Sequence, residues 1–168
     1  MNQLVFKFPF KVKYFKQDFY VSSNNFSAYK LIESWPNWPG KWLNVFGMSG
    51  SGKTHLSKIL EKKINKIKLV EAKYLNNKII EELNKIDCLI IDNYQNNIDE
   101  RLFYSILNQS KQLDSFVVVN SIPSLKELNF KLIDLKSRLD SFIFIGITFP
   151  TDDLLQVVIS KFFSEKQI

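Results

Sequence analysis

One short segment of the chain has the residue types and the spacing of a phosphate-binding loop: a glycine, four further residues, then Gly-Lys-Thr. Its members are Gly47, Met48, Ser49, Gly50, Ser51, Gly52, Lys53 and Thr54. In such a loop, backbone N–H groups surround the phosphates at a helix N-terminus, where the helix dipole favours an anion. Lys53 would contact the outer phosphates, and the Thr54 hydroxyl would be a ligand of Mg²⁺. The segment therefore predicts binding of a nucleoside di- or triphosphate.

A carboxylate follows a later apolar run. Residues 88–92, Cys-Leu-Ile-Ile-Asp, read as a buried strand whose last residue, Asp92, would hold the Mg²⁺ water shell opposite Thr54. Hydrolysing phosphate-loop proteins usually place a second acid next, but here Asn93 follows, and an amide cannot act as a general base. We therefore expect slow or absent hydrolysis by the chain alone, unless Asp99 or Glu100 supplies the missing carboxylate.

Asn120 ends another apolar run, Val-Val-Val-Asn at 117–120. From a neighbouring strand its side chain could reach the γ-phosphate or the attacking water. The alternative is that Asn120 is an ordinary residue of the turn that Ser-Ile-Pro at 121–123 predicts. His55, directly after the loop, is expected to pack or cap rather than to catalyse.

The two arginines stand out in a lysine-rich chain. Of 23 basic residues only Arg101 and Arg138 are arginine, and a guanidinium makes planar bidentate contacts to phosphate that lysine cannot make. Arg138 could stabilise transition-state charge on a γ-phosphate bound by a neighbouring subunit. The alternative is a surface ion pair with Asp134 or Glu127.

Composition indicates one α/β domain in a reducing cytoplasm. The chain has 168 residues, 45% of them hydrophobic, without an apolar run near the ~18–20 residues of a membrane span and without a recognisable secretion signal. The single Cys88 lies in an apolar run and cannot pair within the chain. The net charge of +6 would suit nucleic acid or an acidic protein, but lysine, asparagine, isoleucine and phenylalanine are abundant throughout, as in AT-biased genomes.

Apolar runs alternating with amphipathic segments predict a parallel five-stranded sheet flanked by helices on both faces. A helix over 26–34, capped by residues 22–25, precedes this core. The predicted strands are Trp42–Phe46, Lys68–Val70, Cys88–Asp92, Phe116–Asn120 and Phe142–Ile147. The helices between and after them are predicted near 51–64, 73–85, 99–113, 131–140 and 152–164.

These motifs together resemble the AAA+ module of the bacterial initiator DnaA and its shorter relatives. Gly-Lys-Thr-His-Leu at 52–56 is similar to the loop of that group, Ser-Arg-Leu at 137–139 resembles its arginine-finger motif, and Asn120 falls at its first sensor position. Three features resemble the Hda family of DnaA-homologous regulators, which inactivate DnaA. They are Gln-Leu-Val-Phe-Lys-Phe at 3–8, Trp-Pro-Asn-Trp-Pro at 35–39, and the pair Asp92-Asn93.

The resemblance implies an AAA+ P-loop NTPase core over residues 17–168 and an amino-terminal arm over residues 1–16. ADP or ATP with Mg²⁺ would be held by residues 47–55 and Asp92, with Phe19, Val21 and Asn25 near adenine and ribose. Arg138 would act in trans as an arginine finger. The clamp-binding peptide of the arm would dock on the sliding clamp, the β subunit of DNA polymerase III, through Gln3, Leu4, Phe6 and Phe8.

The function implied is a cytoplasmic regulator of replication initiation that promotes hydrolysis of DnaA-bound ATP, with DNA reached through the clamp and no membrane contact. The family continues into a helical lid with a second sensor arginine, whereas this sequence stops at Ile168. The lid is thus expected to be lost or to lie outside this chain. Two alternatives stay open: a DNA-binding fragment of the DnaA or helicase-loader type, and a stand-alone ATPase or small phosphotransferase.

Overall fold

The computed structural model of the chain describes residues 19–149 and 152–166. The predicted clamp-binding residues Gln3, Leu4, Phe6 and Phe8 lie outside the described residues. The strands are β1 (Trp42–Gly47), β2 (Ile67–Glu71), β3 (Cys88–Tyr94), β4 (Phe116–Ser121) and β5 (Phe142–Ile147). The α-helices are α1 (Phe26–Glu33), α2 (Lys53–Glu61), α3 (Lys78–Glu82), α4 (Glu100–Gln112), α5 (Ile133–Leu139) and α6 (Asp152–Lys166).

The five strands form one parallel sheet in the order β2-β3-β4-β1-β5, which confirms the predicted sheet. Strand β1 is paired with β4 on one side and β5 on the other, and β4 lies between β1 and β3. Because all the strands run in one direction, their carboxyl ends meet at one edge of the sheet. Ligands of open α/β sheets bind at this edge.

Helices cover both faces of the sheet. In β3, Leu89 and Ile91 pack into the same core cluster as Phe103 of α4, whereas Ile90 packs into the cluster that contains Leu56 of α2. Successive side chains of a strand point to opposite faces, so a strand buried on both faces must be apolar at every position. Burial raises the pKa of the Cys88 thiol in the same strand, and this side chain therefore packs as a small apolar group.

Two elements differ from the sequence prediction. The helix predicted over 73–85 is broken into one-turn 3₁₀ segments, Ala72–Tyr74 and Leu83–Lys85, on either side of the short α3. Asn76 accounts for the break, since its side-chain oxygen accepts a hydrogen bond from the Lys78 backbone N–H at 3.0 Å and so competes with helical bonding. Strand β3 continues past its predicted end at Asp92 to Tyr94, through a register shift.

None of the described helices is both long enough and apolar enough to cross a bilayer.

A fully buried amide joins β1 to β4 and to the segment that follows β4. Asn44 donates through Nδ2 to the Val119 carbonyl at 2.9 Å and to the Ser121 hydroxyl at 3.0 Å. Its Oδ1 accepts from the Leu125 N–H at 2.9 Å. Every polar atom of this side chain is therefore paired, which is the condition under which a buried amide stabilises a core. The segment 121–125 is thereby held under the start of the loop, where the Gly47 N–H donates to the Ile122 carbonyl at 3.2 Å.

Replacing Asn44 with alanine should lower the free energy of unfolding by about 3 kcal/mol, because it orphans the buried Leu125 N–H and removes the other two bonds. Urea unfolding followed by circular dichroism measures the change. Asn77, an exposed residue whose side chain makes no capping bond, is the matched control, and Asn77→Ala should change stability by less than about 0.5 kcal/mol. Equal stability of Asn44→Ala and the wild type would contradict the role given to this amide.

Candidate functional site

The predicted phosphate-binding loop runs from the end of β1 to the start of α2. Its glycines lie at positions where the backbone conformation or a close neighbour disfavours a side chain. Gly50 and Gly52 have φ values of 79° and 101°, in the left-handed region that side chains disfavour. A Cβ on Gly47 would lie 2.5 Å from the Ile147 carbonyl oxygen of β5. The strand, the turn and the helix of a phosphate loop are therefore all present, with the α2 N-terminus open to an anion.

Lys53 is folded back onto its own loop. Its Nζ donates to the Gly47 carbonyl at 2.6 Å, to the Met48 carbonyl at 2.8 Å and to the Ser51 hydroxyl at 3.4 Å. Burial lowers the pKa of this ammonium group, and the negative charge of Asp92 partly opposes the shift. The loop's neutral acceptors thus satisfy the hydrogens of a buried cation without neutralising its charge. A phosphate would supply the missing negative charge.

Thr54, Asp92 and Asn120, predicted separately from three segments, are brought together at the carboxyl edge of the sheet. The Thr54 hydroxyl donates to Asp92 Oδ2 at 2.9 Å, and Asn120 Nδ2 donates to Asp92 Oδ1, also at 2.9 Å. Asn120 Nδ2 donates in addition to the Ser57 hydroxyl at 2.7 Å. These three hydrogen bonds and the turn of α2 between Thr54 and Ser57 form a ring that joins α2, β3 and β4; we call it the Asp92 ring.

The Asp92 ring suits Mg²⁺ held together with phosphate and water. Mg²⁺ prefers oxygen ligands, is commonly held by one or two protein groups, and keeps several waters. Thr54 gives its only hydroxyl hydrogen to Asp92, which leaves its lone pairs available to a cation. Within residues 19–149 and 152–166, no cluster of three or more histidine, cysteine or acidic side chains forms a metal cage. The donor set therefore fits a nucleotide-bound Mg²⁺, with Thr54 and Asp92 as its protein groups.

Asn93 stands where a hydrolase would place its second acid. Asn93 is exposed, with a left-handed φ of 56° that asparagine tolerates better than most residues. Asp99 accepts from the N–H groups of Arg101 and Leu102 and so caps α4. Glu100 also accepts backbone hydrogen bonds, so each of the two acids has a structural role in this fold.

Glu100 instead joins α4 to the start of α5. Its carboxylate accepts from the N–H groups of Lys131 and Leu132 at 2.7–2.9 Å, and these bonds lower the pKa of Glu100. The contact fixes the N-terminal end of the helix that carries Arg138.

An aromatic group lies beside the loop, next to the α2 N-terminus. The Phe19 ring packs edge-on against His55 with centroids 5.1 Å apart and is stacked with Tyr29 at 5.8 Å. A Cβ on Gly52 would lie 3.0 Å from the Phe19 ring. Of the residues predicted near the nucleotide base, Phe19 therefore borders the loop, and His55 packs as expected. The contact of Tyr29 with Phe19 was not predicted from the sequence.

The other two predicted base or ribose contacts lie in the segment before α1. Val21 is half-buried, and Asn25 is buried with both ends of its amide engaged by the backbone. Asn25 Nδ2 donates to the Tyr20 carbonyl, and its Oδ1 accepts from the Ser22 N–H, each at 3.0 Å. In this structure Asn25 therefore shapes residues 20–25.

Arg138 lies on α5, partly exposed, and not in the Asp92 ring of its own chain. Its guanidinium carbon is 5.9 Å from the centre of the Tyr104 ring on α4, a cation–π contact. Among the ion pairs between described residues, none includes Arg138, so the alternative pairing with Asp134 or Glu127 is not the arrangement found. The guanidinium is held on the outer surface, where a second protein could reach it.

Gly47→Ala should lower the free energy of unfolding by about 2 kcal/mol, because the new methyl group meets a strand carbonyl that can yield only by moving β5. Thermal unfolding measures it. The matched control is Gly40→Ala, where the nearest atom is the end of the Ile143 side chain at 3.6 Å and we expect less than about 0.5 kcal/mol. If both variants unfold like the wild type, the close approach of the loop to β5 is wrong.

No protein-family model and no curated protein sequence matches the chain. Solved structures do match. DnaA from Aquifex aeolicus bound to the ATP analogue AMPPCP superposes with a TM-score of 0.74 and 19% identity over 92% of this chain and 55% of that one. This chain thus spans about half the length of that DnaA.

Two further structures match a larger share of their own chains. Domain III of the Thermotoga maritima replication initiation protein DnaA has a TM-score of 0.77 and 18% identity, over 95% of this chain and 77% of that one. DnaI has a TM-score of 0.61 and 18% identity, over 77% of this chain and 84% of that one. At these identities the similarity concerns the fold, and it confirms the predicted one: the chain has the AAA+ P-loop fold found in DnaA.

Proposed function

We propose that this chain is an adenine-nucleotide-binding regulator of replication initiation, similar to Hda proteins. It holds ADP or ATP with Mg²⁺, docks on the sliding clamp through residues 3–8, and promotes hydrolysis of ATP bound to DnaA. The observation that carries the proposal is the Asp92 ring beside an open phosphate loop without a second acid. Such a site can hold a nucleotide and its cation, but lacks the group that would activate water.

The nucleotide is proposed to be an adenine nucleotide on two grounds. The loop and the α2 N-terminus present phosphate-binding groups, and the Phe19–His55 pair offers an aromatic surface beside them. The similar DnaA structure from Aquifex aeolicus contains AMPPCP, an adenine nucleotide analogue. The fold is shared between the two chains, so the corresponding loop of this chain is a reasonable place for the same class of ligand.

Catalysis is proposed to occur in the partner's site, with Arg138 as the contribution of this chain. Arg138 lies on the surface of α5 and is oriented by Tyr104, while the start of α5 is fixed by Glu100. A guanidinium presented in this way can reach a γ-phosphate bound by DnaA and stabilise the charge that develops during hydrolysis. Phosphate-loop ATPases gain most of their rate from such positioned charges, so activation in trans needs no base from this chain.

The clamp contact is proposed from the sequence of the arm. Gln-Leu-Val-Phe-Lys-Phe combines a glutamine amide with alternating apolar side chains, which can dock as an extended strand in a groove. Docking on a DNA-loaded clamp would bring the regulator to DNA without a DNA-binding surface of its own.

A DNA-binding role is the second candidate, favoured by the net charge of +6. Against it, five lysines are paired with acids among the described residues, including Lys58 with Glu61 at 2.8 Å and Lys63 with Glu33 at 2.9 Å. Paired lysines do not form the continuous basic strip that follows a phosphate backbone. Strong, salt-dependent binding of DNA by the chain in the absence of clamp would favour this candidate.

Arg138→Lys should lower the stimulated rate of DnaA-bound ATP hydrolysis by roughly a hundredfold or more, because a point charge does not reproduce the planar contact of an arginine finger. The assay follows release of phosphate from ATP-loaded DnaA in the presence of DNA-loaded clamp. Arg101→Lys, which changes the other arginine of the chain, is the matched control and should stimulate as the wild type does.

Removal of residues 1–8 should abolish stimulation on clamp-loaded DNA while leaving nucleotide binding intact.

Full stimulation by Arg138→Lys would contradict the proposed role of that residue. Multiple turnover of ATP by the isolated chain would instead indicate a stand-alone ATPase.

A further inference from the structure

The Ser57 hydroxyl closes the Asp92 ring, although it belongs to neither the phosphate loop nor a recognised motif. Ser57 lies three residues after Thr54 on α2, so both side chains face the same side of the helix. It is only 2% exposed, and its oxygen lies 2.7 Å from Asn120 Nδ2, from which it accepts a hydrogen bond. The contact joins α2 to the tip of β4.

The two bonds at Asn120 determine which way its amide faces. A side-chain amide nitrogen has two hydrogens, and here both are used, one by Ser57 and the other by Asp92. The reverse orientation is excluded because an ionised carboxylate only accepts. The orientation of Asn120 Oδ1 is consequently fixed as well, and this oxygen is fully buried with no hydrogen-bond partner among the described residues. An unpaired buried acceptor is costly, and such a group indicates a partner that arrives with the bound state.

The chemistry of the proposed ligand identifies that partner. Phosphate oxygens are acceptors and cannot pair with Asn120 Oδ1. The ribose hydroxyls and the adenine amino group are donors at the other end of the nucleotide. Beside the phosphates, the donors are the water molecules of the Mg²⁺ shell, since Mg²⁺ in such sites keeps several waters. Asn120 belongs to the same ring as Thr54 and Asp92, the residues that would hold the cation.

We propose that Ser57 is a positioning residue of the nucleotide site. Together with Asp92 it occupies both amide hydrogens of Asn120, and so presents Oδ1 as an acceptor to water carried in with Mg²⁺. The role rests on the nucleotide binding proposed above. It implies that Ser57 matters for the Mg²⁺-dependent part of nucleotide affinity and hardly for binding of the nucleotide alone.

The test compares ADP and ATP affinity with Mg²⁺ and with EDTA, measured by calorimetry on the full chain. In Ser57→Ala, the gain in affinity on adding Mg²⁺ should be about three- to tenfold smaller than in the wild type, the effect of one hydrogen bond. Affinity in EDTA should stay within about twofold. Because Ser57 acts through Asn120, the double variant Ser57→Ala/Asn120→Ala should show the same Mg²⁺ gain as Asn120→Ala alone.

Ser110→Ala is the matched control for loss of a buried serine hydroxyl. The Ser110 oxygen accepts from Trp42 Nε1 at 3.0 Å and donates to the Leu107 carbonyl at 2.9 Å, at the amino-terminal end of β1 and away from the Asp92 ring. Its variant should keep the wild-type Mg²⁺ gain even if it is less stable. A smaller gain in this control too would show that Ser57→Ala acts through general loosening, and would overturn the proposal.

Failure of the site and failure of the Ser57 role give different results. If the wild type and Lys53→Ala bind nucleotide equally, the nucleotide site is wrong and the role of Ser57 falls with it. If Lys53→Ala abolishes binding but Ser57→Ala keeps the full Mg²⁺ gain, the site stands and the role of Ser57 is wrong. The same conclusion follows if the losses of Mg²⁺ gain in Ser57→Ala and Asn120→Ala add up in the double variant.

Discussion

The Asp92 carboxylate links side chains from three elements at the carboxyl edge of the sheet. One oxygen accepts from Thr54 on α2, and the other accepts from Asn120 on β4 and from the Asn93 N–H at 3.0 Å. A buried carboxylate is stable only when its oxygens are paired in this way. These bonds connect the start of α2, next to the phosphate loop, to the tips of β3 and β4. The remaining architecture brings these tips to one edge: a parallel sheet, with β4 between β1 and β3, and helices on both faces.

Two groups of the site are suited to a polyphosphate bound with its cation. Lys53 carries a buried positive charge that only its own loop contacts, and Asn120 carries a buried oxygen without a partner. A hydrated Mg²⁺-nucleotide would place negative charge beside the first group and a hydrogen-bond donor beside the second. Asp99 Oδ1 caps α4, and the Glu100 carboxylate is bonded to the start of α5. Under the proposed function, the chain binds nucleotide without rapid turnover and its arginine acts on a partner.

The parts of the structure that the sequence predicted are those that depend on local pattern. Five apolar runs predicted five strands, and the glycine spacing predicted the loop, because neither depends on distant residues. The Ser57–Asn120 contact depends on how α2 lies across β4, which no local pattern contains, although the spacing of Ser57 from Thr54 was a usable signal. The strand that contains Asn44 was predicted in spite of this polar residue. The three hydrogen-bond partners of Asn44 were not predicted, because they lie in β4 and in the segment that follows it. The broken helix at 73–85 was missed because the Asn76 side chain competes for a backbone N–H that the apolar pattern had assigned to the helix.

The central claim is that the loop binds nucleotide by drawing Lys53 away from its own carbonyls while the Asp92 ring stays in place. A crystal structure of the full chain with Mg²⁺ and AMPPCP tests it most directly. The account predicts phosphates at the α2 N-terminus, Lys53 Nζ on their oxygens instead of on Gly47 and Met48, and Thr54, Asp92, Asn120 and Ser57 bonded as in the nucleotide-free chain. An empty loop at saturating nucleotide, or a nucleotide bound away from the loop with Lys53 still on Gly47 and Met48, would contradict it.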